Sequence, residues 1–336
     1  MNFGIIGYGT IARTHAAVIE GLAEAKLAAV ATRTPEKARM AGEKHGCAFY
    51  TDYRELLKRD DIDVVTICAP AALHLQMALD AAEAGKHCIV EKPIEINVER
   101  AERMAEAFDK RGLTLSVIFQ HRFDPASRAI RDAIDGGAFG PLNYGAARTV
   151  WFRDGDYYRA TVWRGAWDGD GGGALMNQAI HSIDLLQYLM GPVEAVCGKC
   201  DTLYHRGEIE AEDVGLALLR FKSGALGVIE GMTLAWPGRY SEVGVYGRHG
   251  SASLRNDALE HYALQTGKDA HFEALLAQGR EDPGRHLSFA RQYEDVIDAV
   301  KRSRPPLVSG QEGIKAVRLI MGIYESSGKN AWVTLD

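Results

Sequence analysis

Short apolar runs alternate with amphipathic stretches through the first 120 positions. Asn2–Ile6, Leu27–Ala31, Asp63–Cys68, His87–Val90 and Leu113–Phe119 are apolar along most of their length, as parallel strands covered on both faces must be. The segments between them carry helix punctuation. Gly7 to Ala12 opens a helix ending near Leu22. Thr34 as N-cap, Pro35 and Gly46 delimit a second, and Asp52 with Glu55 reads as a capping box for a third. Further helices are expected from Ala72 to Ala84, stopped by Gly85, and from Val98 to Lys110. Strand–helix alternation of this kind gives a doubly wound parallel α/β sheet.

Past Arg122 the period changes. Asp124-Pro125 starts a helix through Ile134, and strands then follow one another. Tyr144–Phe152, Ala195–Leu203, Val214–Phe221, Ala225–Met232, Ser241–Gly247 and Ser251–Arg255 are the candidates, joined by turns such as Lys222-Ser223-Gly224. Two domains are expected: a doubly wound α/β domain over 1–120, and an α+β domain over 121–336 with a large, predominantly antiparallel open sheet.

Gly7-Tyr8-Gly9-Thr10-Ile11-Ala12 has the form G-x-G-x-x-A between a strand and a helix. In that context the first glycine allows the tight turn and the second admits a pyrophosphate. The small sixth residue lets helix and strand pack closely, and the helix N-terminus supplies amides. The sheet is therefore Rossmann-type. The second strand ends at Thr32-Arg33-Thr34, with no carboxylate for a ribose 2′-hydroxyl. Thr32, Arg33 and Lys37 suit a 2′-phosphate instead, which favours NADP(H) while leaving NAD(H) possible. Ala69-Pro70, Glu91-Lys92 and Gln120 stand at the carboxyl ends of other strands, where α/β sheets bind ligands. With His74 in the following helix, they complete the candidate cofactor residues.

Composition narrows the partners. The 336 residues are 46% hydrophobic and 25% charged, with a net charge of −6. Without a long basic run, nucleic acid and anionic membrane surfaces are excluded as partners. No apolar run approaches the ~18 residues of a membrane span. Five cysteines and the absence of a leader pattern suit the cytoplasm. Cys197 and Cys200 have C-x-x-C spacing, but on a strand they point to opposite faces, so no metal is expected.

Two stretches carry candidate chemistry. Glu91-Lys92-Pro93 ends a buried strand, and a lysine so placed serves as acid, base or orienting donor. Lys92-Pro93 is also a candidate cis peptide. The second stretch is Gly171-Gly172-Gly173 followed by Ala174–Met190. At about 100° per residue, Asn177, His181, Asp184 and Tyr188 fall in a stripe about 60° wide on an otherwise apolar helix. A buried helix must satisfy such a stripe internally or turn it toward a cavity. The triglycine is expected to let a ligand approach backbone, and Asp184 to orient His181 or stabilise the fold. Arg122, Tyr158, Trp163 and Arg164 are candidate walls of the substrate cleft.

Together the fingerprint at 7–12, Pro70-x-x-x-His74, Glu91-Lys92-Pro93 and the glycine-led helix through His181 resemble the Gfo/Idh/MocA family of sugar-type oxidoreductases over nearly the whole chain. The resemblance implies a catalytic set of Lys92, Asn177 and His181, with Asn177 standing where many members have Asp. Asparagine takes no proton, so acid–base duty falls to His181 and Lys92. The implied reaction is NAD(P)-dependent hydride transfer at a secondary hydroxyl of a sugar, sugar derivative or cyclitol. A glycosidase using tightly held NAD and a non-catalytic dinucleotide sensor are the rivals. Relatives form dimers or tetramers, so a homo-oligomer through the C-terminal sheet is expected.

Overall fold

The computed structural model describes residues 1–278 and 285–335, which divide into two compact units. The first comprises Met1–Gln120 and Gly284–Ile314, the second His121–Pro283 and Lys315–Asp336. The first boundary falls at Gln120, but the second unit is interrupted, because a late segment returns to the first.

The first unit alternates β1 (Asn2–Ile6), α1 (Thr10–Gly21), β2 (Lys26–Ala31), α2 (Pro35–His45), β3 (Ala48–Tyr50), α3 (Tyr53–Leu57), β4 (Val64–Ile67), α4 (His74–Glu83), β5 (His87–Val90), α5 (Val98–Asp109) and β6 (Leu115–Val117). All strand pairs are parallel, in the order β3-β2-β1-β4-β5-β6. The order reverses between β1 and β4, which makes the rim outside their carboxyl ends the ligand crevice. Local signals act as expected at α2, where Gly46 adopts φ 59°. At α3 only half of the capping box forms: Asp52 accepts from Arg54 N at 2.9 Å, while the Glu55 carboxylate turns to Lys58 Nζ. The three-residue strand β3 was too short to register as a period.

The returning helix Arg285–Arg302 explains the interrupted boundary. Phe289, Tyr293, Val296 and Ile297 bury themselves against Phe3, Ile5, Ala12, Ala16 and Ile19. Each large apolar side chain so buried contributes roughly 1.5–3 kcal/mol, which no linker would. Its amphipathic pattern shows a helix but not which sheet it covers. At its basic end Arg302 and Arg304 pair within the segment, on Asp298 and on Asp295 with Asp298, while Lys301 pairs with Glu24 just after α1.

The second unit contains α6 (Pro125–Asp135), β7 (Leu142–Val150), α7 (Gly155–Arg159), α8 (Trp167–Asp170) and α9 (Ile180–Met190). Strands β8 (Val193–Asp201), β9 (Val214–Phe221), β10 (Leu226–Met232), β11 (Tyr240–Gly247), β12 (Gly250–Arg255), β13 (Ala258–Leu264) and β14 (Val333–Thr334) follow. Eight strands form one sheet in the order β13-β12-β11-β7-β10-β9-β8-β14, antiparallel except for the β7–β10 pair. Helix α9 covers one face; Gly145 lies under Leu186 and Met190, and Gly215 and Gly231 under Leu175. On the other face Leu216, Leu218 and Leu226 are exposed. Cys197 and Cys200 both lie on β8, and all five cysteines are free. Among the described residues no helix is long and apolar enough to cross a membrane.

Candidate active site

Because the first sheet is wholly parallel, everything that follows β1, β2, β4, β5 and β6 lies on one rim. Gly7 turns out of β1 with φ 87°, and a Cβ there would come within 2.6 Å of the Cys68 carbonyl. Gly9 is the N-cap of α1, and a Cβ on it would meet nothing within 4 Å. Open space at a helix N-terminus, with no side-chain cap on its amides, fits a pyrophosphate cradle. Thr10 and Ile11 are exposed in the first turn, and Ala12 is buried against the sheet. Thr32 is held through its amide to Tyr50 O. Arg33 and Lys37 are exposed and make no side-chain hydrogen bond or ion pair among the described residues. Ala69 and Pro70 are half-buried at the end of β4, and Gln120 is buried beyond β6.

The loop carrying Lys92 is fixed by buried polar groups on either side. The Glu91 carboxylate meets His15 Nε2 at 2.8 Å, His15 Nδ1 meets the Tyr293 hydroxyl at 2.9 Å, and that hydroxyl meets Thr66 Oγ1 at 2.9 Å. A carboxylate only accepts, so His15 Nε2 carries hydrogen and donates to Glu91. The other Glu91 oxygen accepts from Lys92 N. Burial pushes the Glu91 carboxyl up, but the hydrogen bond and charge interaction with His15, and after them Lys92, outweigh it and hold it below its ordinary value. Lys92-Pro93 is cis. Beyond it, fully buried Glu95 accepts from Leu75 N and from Arg100 through two nitrogens. His74 is also buried, its ring nitrogens 2.8 Å from Ala69 O and 3.0 Å from Pro93 O. This corrects its expected place on the cofactor: His74 braces the loops after β4 and β5.

In the second unit the glycine-led segment is not one α-helix. Ala174–Ala179 forms a π-helical turn before α9, a widening frequent at functional sites. The triglycine serves packing rather than ligand approach. A Cβ on Gly173 would drive into the Glu212 carbonyl. The buried Glu212 carboxylate takes the helix-start donors, from Gly173 N at 2.9 Å and Leu175 N at 2.8 Å, with the Tyr324 hydroxyl at 2.9 Å.

Asn177 is half-buried, its Nδ2 2.8 Å from both oxygens of Asp170, which is itself 3% exposed. Facing a carboxylate fixes the amide orientation. Its Oδ1 accepts from Gln178 Nε2 at 2.7 Å and from the Tyr157 hydroxyl at 3.4 Å. His181, half-buried one turn on, meets His121 edge to face at 5.3 Å, and His121 Nδ1 pairs with Asp124 at 2.8 Å. His121, Asp124 and the exposed Asp257 bring potential ligand atoms within 4.8 Å of one another. The lower half of the polar stripe is structural: Arg122, 2% exposed, grips Asp184 through two bonds of 2.9 and 2.7 Å beneath Tyr188.

Two expected cleft walls therefore move inward. Arg122 is committed to Asp184. Tyr158 is buried, with its hydroxyl on Thr233 Oγ1 at 2.8 Å and its ring on His205. Arg164 and Trp163 stay half-buried and cluster with Tyr157, one residue before Tyr158. Sequence reasoning passed over Tyr157, Arg153, Gln178, Asp170 and His121. Only His121, beside Gln120 at a strand end, carried a positional signal; Arg153 sits in a loop, Tyr157 and Asp170 in helices of five and four residues, and Gln178 one residue off the stripe.

A nucleotide cradle on one unit and a polar cluster on a glycine-led helix in the other define a dinucleotide-dependent oxidoreductase. The oxidoreductase family with an NAD-binding Rossmann fold, GFO_IDH_MocA, matches residues 1–119, and its C-terminal domain matches 127–253. The chain belongs to the Gfo/Idh/MocA oxidoreductase family. It is 30% identical to the uncharacterized oxidoreductase YrbE of Bacillus subtilis, over 96% of this chain and 93% of that one. It is 28% identical to the myo-inositol 2-dehydrogenase of Thermotoga maritima, over 100% and 99%. Among solved structures, the WlbA dehydrogenase of Bordetella pertussis in complex with NADH and UDP-GlcNAcA superposes with a TM-score of 0.93 at 30% identity, covering 100% of this chain and 98% of that one.

Proposed function

We propose that the protein is a nicotinamide-dependent dehydrogenase acting on a secondary hydroxyl of a polyhydroxylated small molecule: a sugar, a sugar derivative or a cyclitol. The observation that carries this reading is the pairing, on one chain, of the Gly7–Ala12 cradle with the Asn177–His181 cluster. Relatives named for inositol and levoglucosan oxidation, and a solved relative holding a nucleotide sugar, support it. The cradle at Gly7 to Ile11, Thr32 and Arg33 with Lys37, Ala69-Pro70, Glu91-Lys92 and Gln120 would hold the dinucleotide. When bound, its nicotinamide supplies the hydride acceptor or donor.

His181 takes the hydroxyl proton. Lys92 donates a hydrogen bond to the oxygen as charge develops there. Asn177, with its Nδ2 bound to Asp170, presents an amide of fixed orientation to the substrate hydroxyls. Between the two dinucleotides, exposed and unpaired Arg33 and Lys37 favour the 2′-phosphorylated form, whereas the WlbA dehydrogenase above and the levoglucosan dehydrogenase were captured with NADH. Titration with NADP⁺ and NAD⁺ decides: equal affinities, with Arg33→Ala without effect, overturn the phosphate reading.

The exposed leucines of β9 and β10 support a homodimer or homotetramer through that sheet, tested by light scattering. Five free cysteines suit a cytoplasmic location. The deciding experiment is a polyol and sugar panel with both nicotinamides, followed by absorbance of the reduced cofactor. Product release without net reduction would instead indicate the glycosidase, and an intact function in Lys92→Ala and His181→Ala a sensor.

A further inference from the structure

Arginines in the second unit generally sit on carboxylates: Arg122 on Asp184, Arg131 on Asp135, Arg148 on Glu230 and Glu242. Two half-buried ones do not. Arg153 and Arg164 form no ion pair among the described residues, and the Nε of each is buried without an acceptor. They stand together, their guanidinium carbons 5.2 and 4.4 Å from the centroid of Tyr157. Trp151 lies 5.2 Å from Arg153, and Trp163 lies 5.1 Å from Arg164.

The pair is built in place. Arg153 N donates to Thr233 O, its carbonyl accepts from buried His205 at 2.9 Å, and its Nη2 donates to Gln178 Oε1 at 2.8 Å. Arg164 Nη1 donates to Tyr157 O at 3.0 Å. Gln178 and Tyr157 then contact Asn177 Oδ1. Two cations thus share a wall with the Asn177 amide. The nearby Asp170 carboxylate is occupied by Asn177 Nδ2 and Gly165 N. Guanidinium groups half-withdrawn from water without a counter-charge are destabilised, and an anion that meets them offsets the lost hydration. The planar guanidinium fork suits carboxylate and phosphate oxygens.

We propose that Arg153 and Arg164 form a subsite for an anionic group of the substrate, a carboxylate or a phosphate, next to the hydroxyl handled by Asn177 and His181. The inference deepens the dehydrogenase reading and rests on it for the meaning of "substrate". The subsite itself is tested by binding.

Calorimetry on the full-length protein with the nicotinamide cofactor present would use glucuronate as the carboxylate probe and glucose 1-phosphate as the phosphate probe. Glucose and myo-inositol are the neutral controls. One anionic probe should bind at least about tenfold more tightly than the neutral sugars, the range expected of charge-assisted hydrogen bonds. Which one it is separates carboxylate from phosphate. Arg153→Ala and Arg164→Ala should each abolish that preference while leaving cofactor affinity unchanged, and Arg164→Lys should restore part of it. Neutral sugars binding as well as both anions, or a preference that survives both alanine variants, overturns the subsite. Turnover on the same compounds reads the dehydrogenase assignment separately: binding preference without reduction of cofactor refutes that assignment and leaves the anion site standing.

Discussion

Asn177→Asp turns the departure from the family pattern into a measurement. In the native protein Asn177 Nδ2 lies 2.8 Å from both oxygens of buried Asp170. Aspartate removes the donor and sets a second carboxylate against the first. At about 4 Å and an effective dielectric near 20, two like charges repel by about 4 kcal/mol. At about 1.4 kcal/mol per pKa unit, the pair then holds one shared proton with an apparent pKa raised by about 3 units. The folded value lies above the unfolded one near 4, so the variant's stability relative to wild type is fully present below about pH 4. It is lost as pH rises toward 7. Thermal unfolding of both proteins from pH 4.5 to 8.5 reads this as a Tm deficit, small in acid and widening by roughly 2–4 °C per kcal/mol. The swapped double variant, Asp170→Asn with Asn177→Asp, restores one carboxylate facing one amide and should lose the pH dependence. A deficit independent of pH, or a double variant no better than the single, would refute the pairing.

The remaining expectations span both units. On the role proposed for it, Lys92→Ala should lower kcat by about 10²–10³, the loss expected when one donor to a developing oxyanion is removed; unchanged kcat in steady-state assays removes Lys92 from the catalytic set. Gly7→Ala combines a φ of 87° with a Cβ 2.6 Å from Cys68 O, so destabilisation of about 1–3 kcal/mol and loss of dinucleotide affinity should appear together in melting and titration experiments. Burial pushes Glu212 up to about 7, against hydrogen bonds from Leu175 N, Tyr324 and Gly173 N. Its folded value exceeds its unfolded one, so stability is highest in acid and falls as pH rises through 7, on the order of 3 kcal/mol in all. The Tm of Glu212→Gln should follow pH less steeply than wild type, and parallel curves count against a protonated Glu212.

How far the sequence could be read depended on whether a feature was periodic or a matter of company. The Rossmann strands, α2 with its Pro35 and Gly46, and β9 (predicted to the residue) announce themselves through period and punctuation. The glycine-led segment did so only in part. Stepping at 100° grouped Asn177 with His181 but missed the π turn, because nothing in Ala174–Ala179 signals an i→i+5 ladder. The same wheel grouped Asp184 with them, although its partner Arg122 lies 62 residues away. Tyr158 was chosen over Tyr157 because a five-residue helix is too short to show a period that says which aromatic ring turns inward. The return of Arg285–Arg302 to the first unit is hidden for a similar reason: an amphipathic helix shows that it has an apolar face, and only the folded chain shows that the face belongs to α1.

That returning helix also bears on Lys92. Tyr293 arrives from the far end of the sequence, and its hydroxyl completes the chain from Thr66 through His15 to Glu91, the residue before Lys92. Every member of the chain is buried, so removing one leaves an unsatisfied group at a cost of about 1–3 kcal/mol. An apolar replacement of the whole set would hold the core together equally well. What apolar packing would not do is fix the Glu91 carboxylate against Lys92 N, while Glu95 and His74 fix the backbone on the far side of the cis bond. A polar network anchored at both ends of one largely buried loop specifies position more than it adds stability. For the role proposed for Lys92, placement within fractions of an ångström would decide how well a developing oxyanion is met.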